Sequence, residues 1–137
     1  MLFAIKDKMF FKQFIAKDII LTIGLPVFFD LKVNKVMPKL YEYFGLIIMF
    51  YCNEHEPIHV HGKCQGRESR AEIILINGLI HEICYTSVAG RVPLEVNEMR
   101  FFQELVSCKA DEIITKWIDF FVLHKSITPE RINRRLK

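Results

Sequence analysis

At Leu94 the apolar pattern of this 137-residue chain changes its period, and that change decides which class of fold it can adopt. Ahead of it, short stretches are continuously apolar or alternate with a period of two, as strands do. Beyond it, Met99, Phe102, Val106, Ala110, Ile113, Trp117, Phe121 and His124 recur every three or four residues and form one apolar side of a helix. Strands grouped first and helix grouped afterwards predict an α+β layer. The length fits one domain with a modest core.

Within the strand region, "FGLIIMFYC" is a continuous run rich in aromatic and β-branched residues, suited to a central strand buried on both faces. "NEHEP" interrupts it, and "IHVHGKC" then alternates. Ile58, Val60 and Cys64 point one way and His59, His61 and Lys63 the other, which predicts buried aliphatics beneath an exposed histidine face. "CQGRES" reads as a polar turn, and "RAEIILINGLIHEICYTSV" as two strands joined at Asn77-Gly78, a strong hairpin signal. The expectation is a small four-stranded, mainly antiparallel sheet followed by a long or broken C-terminal helix packed on one face. Ser107 and Lys109 mark the break, and Thr128 with Pro129 opens a further helical turn.

The first 36 residues read differently. They hold six lysines against three aspartates, which accounts for the whole formal charge of +3. Phe3, Phe10, Phe11, Phe14 and Ile15 lie among lysines at near-helical spacing, and a connector broken at Gly24 and Pro26 follows. Residues 1–36 are therefore expected to be an N-terminal extension, with Met37 an alternative start, ahead of a single domain over 37–137 that ends in a basic tail. Residues 37–124 carry an acidic excess, so composition supplies no basic face for non-specific nucleic-acid binding. Apolar runs stop short of the ~20 residues that span a bilayer, so no membrane is expected. Asp18 and Asp30 flank the stretch that imitates a signal peptide, and Cys52, Cys64, Cys84 and Cys108 form no C-x-x-C pair. A reduced, cytoplasmic protein is the expectation.

"NEHEPIHVHGK" places three of the five histidines within seven positions. On one strand, His59 and His61 share a face, and His55 on the preceding turn can reach the same place. Three neutral imidazoles around an open position suit a divalent metal such as zinc, with Glu54 or Glu56 as ligand or base. The same rings suit acid–base work on a phosphodiester: His59 and His61 as acid and base, Glu54 orienting one ring, and Lys63, Arg67 and Arg70 holding phosphate. A third alternative is an interface that docks a partner without catalysis. The cupin metal motif is excluded, because it needs a glutamate where Gln65 or Gly66 stands. His81 and His124 read as surface or helix-end groups, and Trp117 as core.

The stretch "MPKLYEYFGLIIMFYCNEHEPIHVHGKCQGRESRAEI", with the later "KADEIITKWIDFF", resembles the small bacterial and archaeal proteins grouped as domain of unknown function 4160. Met37, Pro38, Phe44, Gly45, Asn53, Glu54, His55, Pro57, His59, His61 and Trp117 fit that pattern, and the likeness runs from residue 37 to about 124. Ile58 departs from it, since the family more often has a second proline there. Genes of this family commonly sit beside another small domain of unknown function, in an arrangement like a toxin–antitoxin module. The resemblance thus implies a small protein partner encoded by an adjacent gene, and an RNA target.

Overall fold

Three tight turns set the register of the sheet. Phe44 (φ 48°) and Gly45 (φ 82°) join β1 (Lys39–Tyr43) to β2 (Leu46–Met49). Gln65 (φ 49°) and Gly66 (φ 81°) join β3 (Ile58–Cys64) to β4 (Arg67–Ile76), and Asn77 (φ 52°) with Gly78 (φ 80°) joins β4 to β5 (Leu79–Ser87). Positive φ at both positions of a two-residue loop is the signature of a type I′ turn, whose twist matches that of the strands it connects. The computed structural model in which these elements lie describes residues 37–52 and 57–136. The helix and connector expected over 1–36, and Asn53, Glu54, His55 and Glu56, lie outside the described residues.

The sheet is larger than expected. "FGLIIMFYC" is not one strand, because its first two residues are the turn; the tyrosine-rich segment before it forms β1. Tyr41 and Tyr43 are fully buried, and their hydroxyls donate to Glu112 and Glu104 at 3.2 and 2.9 Å. Where a helical turn was expected after Pro129, the chain instead forms β6 (Glu130–Ile132), which pairs in parallel with β1. Proline's fixed φ and missing N–H suit the approach to an edge strand as well as a helix start. The strand order is β5-β4-β3-β2-β1-β6, so the expected four antiparallel strands are six in a mixed sheet.

Helix α1 (Val96–Phe121) runs unbroken through Ser107 and Lys109, about 39 Å at 1.5 Å per residue. Its buried side is Phe102, Leu105, Val106, Ala110, Ile113, Ile114, Trp117 and Ile118, which is largely the stripe that the spacing predicts. Trp117 is fully buried, as expected of core. The helix can lie close to the sheet because β3 has a glycine beneath it: a Cβ on Gly62 would stand 2.8 Å from the Phe102 ring. At the start of α1, Glu98 accepts the Glu95 backbone N–H at 2.9 Å. At its end Leu123 donates to the Ile118 carbonyl, and His124, with φ 54°, lies past the last turn, exposed rather than in the stripe. Among the described residues no helix is long and apolar enough to cross a membrane.

Candidate acid–histidine site

The alternation of β3 sorts its side chains between two environments. Ile58, Val60 and Gly62 face α1, with the two aliphatics fully buried, so His59, His61 and Lys63 project from the other face. The two imidazoles are neighbours there, ring centroids 5.4 Å apart and planes at 66°. The expectation that this face is exposed fails, since His59 and His61 are only 6% and 4% exposed. Part of the cover over His61 is Tyr51, which follows β2 and stacks on the imidazole at 3.9 Å with the planes 1° apart.

Both histidines are held by Nδ1. His59 Nδ1 lies 2.8 Å from the Pro57 carbonyl, which can only accept, so Nδ1 carries the proton. His61 Nδ1 donates to Glu68 Oε1 at 2.9 Å. In each neutral ring Nε2 is then the basic nitrogen. Anchoring of one imidazole nitrogen by a carboxylate or carbonyl recurs both in acid–base dyads and around metal-binding histidines.

Glu68 organises the site. It stands opposite Lys63 in the β3–β4 ladder, near the Gln65-Gly66 turn, and is 2% exposed. Its Oε1 also accepts the Tyr51 hydroxyl in a short hydrogen bond. Arg91 Nε approaches Oε2 at 3.4 Å and Lys63 Nζ at 3.9 Å. A buried carboxylate is costly unless its lone pairs and charge are met, and here two donors and two cations meet them. Arg91 comes from the segment between β5 and α1, where the Glu68 N–H donates to the Val92 carbonyl at 2.8 Å. One residue therefore ties β2, β3, β4 and that segment together.

The other candidates fall in several places. Lys63 belongs to the cluster. Arg70 lies opposite His61 in the ladder and is paired with Glu72 at 2.8 Å. Arg67 turns towards α1 and forks onto Glu98, Nε to Oε1 at 2.8 Å and Nη2 to Oε2 at 2.5 Å. Those bonds hold the Glu98 carboxyl down at about 2 and push the Arg67 guanidinium up. Glu54 and His55 lie outside the described residues. Among the described residues no group of three His, Cys, Asp or Glu side chains is placed to hold a metal ion. A cavity of about 150 Å³ flanks the site, with Gly45, Lys63, Arg67, Glu68 and Arg91 among its walls.

Tyr51, Glu68 and Arg91 are members of the site that sequence reading passed over. A two-residue turn at Gln65-Gly66 would have revealed Glu68, because it sets Glu68 opposite Lys63 and diagonal to His61.

Fold and site together define a small α+β protein with a histidine pair and a buried carboxylate on the sheet face away from α1. Over residues 45–118 the chain matches the family model described as Domain of unknown function (DUF4160), and it belongs to that family. No curated protein and no solved structure matches it.

Proposed function

We propose that this protein is the toxin-like component of a two-gene module and that it cleaves RNA at the histidine face of its sheet. The observation that carries the chemistry is the Glu68–His61 bond of 2.9 Å, which fixes the ring and its tautomer and leaves Nε2 as the basic nitrogen. His61 Nε2 removes the proton of a ribose 2′-hydroxyl as that oxygen attacks the adjacent phosphorus. The bond from phosphorus to the 5′-oxygen breaks, and a protonated His59 gives the leaving oxygen its proton. Lys63 and Arg91 share a single carboxylate between them, so a phosphate oxyanion beside them meets net positive charge. Because both rings are nearly closed to solvent, this face must open before RNA reaches them.

A second function draws on the same anchoring. His59 and His61 both have Nδ1 held by an acceptor, the support that metal-ligating imidazoles commonly have, and His55 is the third ligand of that alternative.

Purified protein incubated with RNA, with and without chelator and beside metal analysis, separates the two. RNA cleavage that survives chelator and is lost in a folded His59→Gln variant supports the acid–base chemistry. One metal per chain, lost in His61→Ala, supports the metal site. A folded protein that does neither, but captures the product of the neighbouring gene, is a non-catalytic docking module, and both are then wrong.

A further inference from the structure

The β1–β2 turn is built from a residue that suits neither its backbone nor its surroundings. Phe44 has φ 48°, a left-handed conformation that Asn or Gly adopts far more readily than a bulky aromatic. Phe44 is also 47% exposed, so burial only partly offsets the strain. The ring is held firmly from behind, with Tyr43 edge-on at 4.8 Å and Phe101 of α1 at 5.4 Å and 31°.

Two arginines lie beside the Phe101 ring that backs Phe44. Arg100 and Arg135 lie 5.8 and 5.0 Å from the Phe101 centroid. Arg135 is paired with Glu104, whereas Arg100 is exposed and bonds to Asn97. Gly45, the next residue of the turn, is one wall of the cavity that Lys63, Arg67 and Arg91 also line. The Phe44-Gly45 and Gln65-Gly66 turns lie at the same end of the sheet, because β1 to β4 form an antiparallel meander. The start of α1 joins that end through Arg67 and Glu98.

An exposed aromatic plate beside cationic side chains is the arrangement that binds single-stranded nucleic acid, bases stacking on the ring while the phosphates meet the cations. We infer that Phe44 is a stacking platform for one unpaired base of a single-stranded RNA, with the adjoining phosphate directed to the cavity edge at Lys63 and Arg91 and the strand flanked by Arg100. This rests on the proposal that RNA is the target, and it names the form of RNA: unpaired, since a base within a duplex offers no free face.

Binding is measured on the full chain with a short single-stranded RNA carrying 2-aminopurine, whose fluorescence falls on stacking, beside a duplex of the same length. The parent should bind the single strand more tightly and quench the probe. Phe44→Ala should weaken binding roughly five- to a hundredfold, the range expected for one lost base–aromatic stack, and abolish the quench. Phe44→Trp should retain both. Phe44→Asn should lose binding yet melt at a higher temperature than the parent, because asparagine relieves the turn; a residue that is merely structural would not separate the two.

Equal affinity of parent and a folded Phe44→Ala variant overturns the inference. So does equal binding of duplex, or no RNA binding by the parent. Binding through Phe44 without cleavage leaves the platform standing and removes the catalytic proposal. Cleavage with Phe44 irrelevant to affinity does the reverse.

Discussion

Phe102 lies over Gly62 so closely that the Cβ of any other residue at 62 would stand 2.8 Å from its ring. This contact sets the separation of helix and sheet at the centre of the molecule. Gly62→Ala should cost about 1–3 kcal/mol, because a methyl group there forces the ring or the helix to move. Chemical denaturation of Gly62→Ala, Phe102→Leu and the double variant checks this. The double variant should lose less than the sum of the single losses, since the smaller side chain makes room. Strict additivity would show that the strain of the alanine lies elsewhere.

Removing Glu68 should damage the fold more than removing any one of its partners. Glu68→Ala takes the shared acceptor from the His61 and Tyr51 donors, at about 1–3 kcal/mol for each buried donor, while the partly exposed Lys63 and Arg91 can turn to water. Tyr51→Phe keeps the stack on His61 and loses the hydroxyl's bond to Glu68, about 0.5–1.5 kcal/mol. Equilibrium unfolding at neutral pH should rank the two variants in that order.

The Arg67–Glu98 fork should appear in the acid limb of the stability curve. Glu98 is held down at about 2, first by its hydrogen bonds to Arg67, so its folded value lies below the unfolded one. A group depressed in this way contributes fully above the ordinary carboxylate range and loses its contribution as pH falls towards 2. Thermal melts of parent and Glu98→Gln should therefore differ most above about pH 4.5 and converge near pH 2. Glu104 and Glu112, also depressed, by Arg135 and Lys109, remain in both proteins and cancel. A gap that persists unchanged into acid would remove the fork as its source.

Gly78 occupies the second position of the Asn77-Gly78 turn with φ 80°. Gly78→Val should cost ~1–3 kcal/mol, because a β-branched residue is strained there. A variant that melts at the parent temperature would show that β4 and β5 pair without help from the turn.

A protein beginning at Met37 should keep a cooperative melt. The charge discontinuity at that point motivates this, as does a core that residues 40–132 assemble between the sheet and α1. Loss of cooperativity would make residues 1–36 part of the fold.

How far the sequence disclosed all this depended on whether a feature was local. The stripe along α1 and the Asn77-Gly78 hairpin were legible because each is written in consecutive residues of a familiar kind. The turns at Phe44-Gly45 and Gln65-Gly66 have the same geometry but open on residues that seldom accept it, so β1 went unread ahead of Phe44 and Glu68 fell within the polar turn. β3 disclosed that His59 and His61 share a face, since alternation is local. Their burial was not legible, because Tyr51 covers His61 from the end of another strand. Arg91 reaches Glu68 across the whole β4–β5 hairpin, a distance over which no periodicity speaks.

The parallel pairing of β6 with β1 bears on how the chain is made. Tyr41 meets Glu130 and Tyr43 meets Ile132, so one strand waits for a partner synthesised some ninety residues later. Until then a ribosome-bound chain carries β1 as an open template for strands of other chains. A message cut short between residues 122 and 129 would release a product with most of its core residues and that edge bare. Such a fragment should associate with itself, or be held by chaperones, far more than the finished protein.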